Sequence, residues 1–326
     1  MHSVMPFTPA PAAVDLCDVV LRRAGWRTYL GALLSAAPRY GVVFAPRFAA
    51  MSGRTSRQIV AGLAEDQDAA IEDLAEIAAL AFDPEARVAE LEEHDIVQVI
   101  HGGPWPCEDG TLNDHVAGIA RLSGRFVPWA GVSLADPGAA LAEATRAVDE
   151  LGMSGLSVIP FLDGVGPDDP ALADLWAFAA DRDLPVWIHS GQSFSGSPMA
   201  ISSPQVIDAL AIRHPRLRIV LGHGGWPWVL DAVALLQRHA HVYLEFSSHH
   251  PRTMATAGSG WEPLFLHGAR SVRDRVLFGS TSWTHGHGPA AVVASASHLP
   301  IAPEVREAWL HGNAARLLAR DPEPAR

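Results

Sequence analysis

Histidine is unevenly spread along these 326 residues, with twelve of 16 at or beyond position 189. In that half, three short apolar runs end on or beside a side chain that can move a proton. His189 closes Pro185-Val-Trp-Ile-His, His223 follows Leu221-Gly, and Glu245 lies near the end of Val242-Tyr-Leu-Glu. Small residues come after each imidazole (Ser190-Gly191, Gly224-Gly225) and open space above it. Imidazoles near a carboxylate can divide into a neutral base and a protonated acid near pH 7, because the carboxylate favours one imidazolium and the like charge opposes a second. His189, His223 and Glu245 are therefore the expected catalytic set. Such a set suits ester or lactone hydrolysis, decarboxylation, dehydration or cyclisation, and suits amide hydrolysis badly because of its poor leaving group.

Around them, His101, Trp105, Trp226, Thr281, Trp283 and His285 fall at or after apolar runs and are read as substrate-binding, with Trp228 and Trp261 as further ring walls. So many indoles fit a planar or polycyclic substrate. His214, His239, His241, His267 and His311 fall on helices or at strand starts and are read as structural. A serine nucleophile at Ser193 or Ser195 is the lesser alternative, since Gly191-Gln-Ser-Phe-Ser-Gly196 is not G-x-S-x-G.

These positions need a scaffold that brings strand ends together. Apolar runs near 14–20, 96–100, 126–131, 155–160, 185–189, 218–222, 241–246 and 275–279 read as eight parallel strands, each followed by an amphipathic stretch. Asp83-Pro84, Asp136-Pro137, Asp169-Pro170 and Ser203-Pro204 each put a capping oxygen before a proline suited to the first helical turn. Gly152 and Pro215 mark helix ends. Alternation of this kind predicts an α/β fold, a (β/α)8 TIM barrel forming one domain over 1–326, with active-site groups at the carboxyl ends of the strands. Residues 21–95, between the first and second strands, are an insertion. Its aromatic start (Trp26, Tyr29, Tyr40, Phe44, Phe48) and Ala/Glu/Asp-rich remainder read as a cap over one mouth, and 321–326 read as a flexible tail. A dinucleotide fold is disfavoured, because Gly222-His-Gly-Gly lacks the required glycine spacing.

Composition bounds the partners. A net charge of −12 opposes phosphate backbones and anionic lipid, so a small-molecule substrate is expected, with no nucleic acid and no membrane. All 24 basic residues are Arg, which excludes a Schiff-base lysine, a phosphate-loop lysine and a carbamylated lysine between two metals. Cys17 and Cys107 cannot build a disulfide framework and lack C-x-x-C spacing. With no leader-like start and no long apolar run, a cytoplasmic location is expected. The arginine-only, alanine-rich composition fits a high-GC genome and a role in secondary metabolism or aromatic degradation.

Taken in order, Pro185-Val-Trp-Ile-His189-Ser-Gly, Leu221-Gly-His223-Gly-Gly-Trp-Pro, Val242-Tyr-Leu-Glu245, Arg275-Val-Leu-Phe-Gly-Ser280 and Gly312-Asn-Ala-Ala-Arg316-Leu-Leu resemble the amidohydrolase-related branch of the amidohydrolase superfamily. That branch holds decarboxylases similar to aminocarboxymuconate semialdehyde decarboxylase and several C–C or C–O hydrolases. The resemblance spans 96–320 and implies the barrel, a hydrolase or lyase, and a homodimer as is typical of similar proteins. It also implies a divalent metal held by a His-x-His pair on the first strand, one His each on the fifth and sixth, and an Asp on the eighth. Here the pair's positions hold Cys17 and Val19, and Thr281 stands at the Asp position. Two imidazoles fall short of the three or four donors that zinc takes. A metal-independent His/Glu enzyme with no cofactor is therefore expected. The alternatives are one zinc held by His189, His223 and Cys17, and a non-catalytic ligand-binding descendant.

Overall fold

The computed structural model describes residues 11–108 and 110–319, so the tail assigned to 321–326 lies outside the described residues. Its core is a sheet of eight parallel strands in chain order: β1 (Ala13–Asp18), β2 (Ile96–His101), β3 (Phe126–Gly131), β4 (Leu156–Val158), β5 (Val186–His189), β6 (Ile219–Gly222), β7 (Val242–Glu245) and β8 (Val276–Leu277). The expected TIM barrel is present. Alternation along the strands sorts the core into two clusters, as a period of two requires. Val14, Leu16, Val97, Val99, Val127, Trp129, Trp187, Val220 and Leu277 pack together with Ala314 and Leu317 from the last helix (Asn313–Leu318). Residues between them, such as Ala13, Ile96, Phe126, Val186 and Ile219, join the larger cluster shared with the surrounding helices.

Element ends follow local chemistry. Asp83 and Asp136 cap their helices through the backbone N–H of Ala86 and of Gly138 and Ala139. Ser203 makes no side-chain cap, and the fixed φ of Pro204 opens that helix without one. Strand β4 is shorter than expected because Pro160 starts a helical turn, Pro160–Asp163. Asp169-Pro170 opens a 3-10 turn, Pro170–Leu172, ahead of the helix Ala173–Asp181.

The insertion forms five helices between β1 and β2: α1 (Arg23–Ala36), α2 (Tyr40–Ser52), α3 (Ser56–Glu65), α4 (Gln67–Ala81) and α5 (Pro84–Glu93). Its last helix reaches into the barrel seam. No ladder joins β8 to β1 among the described residues; Leu16 N–H donates to Phe278 O at 2.9 Å and Thr281 N–H to Cys17 O at 2.7 Å. Side chains complete the closure. Asp15 accepts from Ser280 N (2.8 Å), Ser280 Oγ (2.5 Å) and Gln98 Nε2 (2.7 Å), while Asp18 accepts from Ser282 N (3.0 Å) and from Arg87 of α5 (2.7 Å). Both carboxylates are fully buried, and the Arg87 side chain is 4% exposed.

Candidate active site

Strands β1, β2, β5 and β6 deliver Cys17, His101, His189 and His223 to the floor of a cavity of about 320 Å³. Helices α1 and α2 roof it with Tyr29, Tyr40 and Phe44. The walls are largely aromatic: Tyr40 meets Phe161 and Phe194 with ring centroids 5.9 and 5.3 Å apart, and Phe44 meets Trp283 at 4.6 Å. Among the described residues, the lining contains no arginine.

His189 and His223 stand edge to face with centroids 4.9 Å apart. Removal from water pushes His189 down to about 4, and it pushes His223 well below the usual imidazole value, with His189, His249 and His101 adding like-charge repulsion. Both rings therefore rest neutral. The division into a neutral and a protonated imidazole expected from the sequence is not the resting arrangement, because burial disfavours the charge on both rings and Glu245 reaches the His223 ring through Ser247.

Glu245 is fully buried and does not line the cavity. Its Oε2 accepts from Trp187 Nε1 at 3.0 Å and from Ser247 Oγ at 2.8 Å, and Ser247 N–H bonds Oε1. Ser247 Oγ in turn lies 2.7 Å from His223 Nδ1. With its own proton given to Glu245, the hydroxyl accepts from His223 Nδ1–H, which leaves the lone pair on Nε2. Backbone design supports this chain. A Cβ on Gly279 would lie 2.2 Å from Glu245 Oε1, and one on Gly222 would lie 2.2 Å from the Trp187 indole. His223 itself has φ +60, an uncommon backbone state that positions its ring at the cavity floor.

The other expected site residues divide. His101, Trp105, Trp226, Thr281 and Trp283 line the cavity. Trp228 and Trp261 do not, and Trp261 is buried behind Gly224. His285 is also outside the lining: Thr281, at φ +41, starts the turn Ser282–His285, which brings His285 against His250 at 5.4 Å. Ser193 and Ser195 bond each other at 3.0 Å and do not line the cavity. Sequence reasoning missed Ser247 and Trp187 as partners of Glu245. Their only signal is position, Ser247 two residues after Glu245 and Trp187 two before His189.

The protein is expected to lose stability in mild acid. His101, His189, His249 and His285 are each pushed down to about 4, and His223 also downward, by removal from water. The unfolded chain binds more protons at these five between about pH 6.5 and 4, so stability present above 6.5 is lost as pH falls. Asp15 and Glu245, raised to about 7 chiefly by burial, act the other way over much of that window. Five sites outweigh two. The thermal unfolding midpoint should therefore fall from pH 7 to pH 5; a rise would mean that the carboxyls dominate.

The amidohydrolase family model matches residues 64–320. The decarboxylase orsB of Emericella nidulans is 34% identical over 163 residues, covering 40% of this chain and 49% of that protein. A gamma-resorcylate decarboxylase of Rhizobium radiobacter is 31% identical over 132 residues, covering 32% of this chain and 40% of that protein. The chain thus spans about half or less of the curated relatives it matches. Among solved structures, a TIM-barrel protein of Bordetella bronchiseptica superposes with TM-score 0.66 at 23% identity, covering 94% of this chain and 98% of that one. A dihydroxybenzoic acid decarboxylase of Polaromonas, solved with bound manganese and the inhibitor 2-nitroresorcinol, gives 0.59 at 16% identity, with 94% and 97% covered.

The expectation of a site without a metal cofactor is overturned. Barrels of this fold are solved with manganese in place, and here Cys17, His223 and Glu245 each bring a ligand atom within 4.8 Å of the others. The residues present fit a divalent ion. The cluster offers a sulfur, an imidazole nitrogen and a carboxylate oxygen, and His189 Nδ1 is buried with no hydrogen-bond partner among the described residues. Of the alternative zinc set expected from the sequence, Cys17 and His223 lie in this cluster, and Glu245 stands in it where His189 was expected. No helix among the described residues is long and apolar enough to cross a membrane.

Proposed function

Because this chain belongs to the amidohydrolase family, we propose that it is a lyase removing carbon dioxide from a small aromatic acid. The observation that carries this reading is a cavity walled by aromatic rings that ends on Cys17, His189 and His223 and offers a carboxylate no guanidinium. The relatives named as decarboxylases point to the same reaction class.

Tyr40, Phe161, Phe194 and Trp283 would hold the substrate ring between apolar faces. Dry walls disfavour the carboxylate charge and favour neutral carbon dioxide. Cys17, His223 and Glu245 would hold a divalent ion, which when bound supplies the positive charge that the lining lacks. Ser247 links His223 to Glu245 and fixes the imidazole tautomer. His189 is the proton carrier: neutral when the cavity is empty, it gains proton affinity when an anion arrives beside it. With substrate bound, His189 takes a proton from solvent; the C–C bond electrons stay on the ring carbon, that proton fills the position, carbon dioxide leaves and His189 returns to neutral.

Metal-replete protein incubated with hydroxylated benzoic and naphthoic acids should release carbon dioxide and the matching phenol. In heavy water the product should carry one deuterium at the vacated ring position. Hydrolysis of aryl esters or lactones with no carbon dioxide from any aromatic acid would overturn the reading.

A further inference from the structure

Cys17 is a buried thiol at the carboxyl end of β1, and Thr281 Oγ1 lies 3.5 Å from its sulfur. The second cysteine, Cys107, belongs to a short two-stranded ribbon, Pro106–Cys107 with Gly110–Thr111, and does not line the cavity. Cys17 Sγ therefore supplies the soft donor in the cluster with His223 and Glu245. Manganese favours oxygen donors in octahedral sites, whereas a sulfur, a nitrogen and an oxygen from three side chains is the donor number and type of a catalytic zinc site. The second donors are organised as well: Ser247 fixes the His223 ring at 2.7 Å, and the unpartnered Nδ1 of His189 lies in the same buried pocket.

We propose that this centre is a thiolate site selective for zinc over manganese, with Cys17 setting the selectivity. The inference rests on the reading above that these residues hold a divalent ion. On binding, the thiol proton leaves to solvent and the sulfur becomes a ligand.

Chelator-stripped full-length protein, dialysed against equimolar zinc and manganese, should retain zinc by about 100-fold or more when counted by elemental mass spectrometry. Because most nitrogen and oxygen sites also rank zinc above manganese, the Cys17→Asp variant supplies the discriminating comparison: its zinc-to-manganese ratio should fall by about 10-fold or more. Cobalt(II) in the unaltered protein should give a sulfur-to-metal charge-transfer band in the near ultraviolet. That band should vanish in Cys17→Ser and persist in Cys107→Ser, with unchanged circular dichroism as the control for folding. An unchanged ratio in Cys17→Asp, or a cobalt complex without the sulfur band, overturns the selectivity while leaving the metal reading in place. Failure of all three ions to bind sinks both.

Discussion

Replacing His223 with alanine is expected to lower kcat/KM by about 1,000-fold or more, and His189→Ala by a comparable factor, with circular dichroism unchanged. The two losses have different origins. His223→Ala removes the ring that Ser247 and Glu245 orient, and it leaves the Ser247 hydroxyl facing a void. His189→Ala removes the group proposed to deliver a proton, while Cys17, His223 and Glu245 stay intact. Metal content separates them: it should drop in His223→Ala and persist in His189→Ala. Ser247→Ala should cost less, about 10- to 100-fold, because the imidazole remains but its tautomer is no longer fixed. Carbon dioxide release under kcat/KM conditions is the measurement, and full activity in both histidine variants would remove them from the reaction.

The second large effect is on stability. Arg87→Met should destabilise the fold by about 3–5 kcal/mol, because Asp18 would be left as a fully buried, uncompensated carboxylate. Arg87 also donates to Gln98 Oε1 at 3.1 Å and to Ser282 Oγ at 3.0 Å, so three acceptors lose a partner at once. The paired variant Arg87→Met with Asp18→Leu removes the charge as well and should recover a substantial part of the loss. Urea unfolding of the three proteins tests this. A loss under about 1 kcal/mol in the single variant would mean that the ion pair does not hold the seam.

Much of the barrel was legible because each strand is a short apolar run with chemically marked helices between. His189 and His223 were legible for a related reason: a strand-end position in a closed parallel barrel fixes where a side chain points. What stayed hidden depended on contacts between distant segments. Glu245 reads as a catalytic carboxylate beside histidines, yet it bonds Trp187 and Ser247 and does not line the cavity. The candidate metal cluster was hidden in part. Cys17 and His223 were legible as alternative zinc ligands, and only the fold adds Glu245 to them. Asp15, Asp18 and Arg87 gave no sequence signal of closing the seam, since 69 residues separate Arg87 from Asp18.

The fastener of that seam comes from the excursion that also roofs the ligand chamber. Roof and wall are thereby one cooperative unit. Grafting a foreign segment in place of 21–95 to retune what fits beneath would discard the guanidinium along with the rings, and the wall would open. Ligand preference in descendants of this chain should consequently drift through single side chains on α1 and α2, such as Tyr29, Tyr40 and Phe44, while α5 is held fixed.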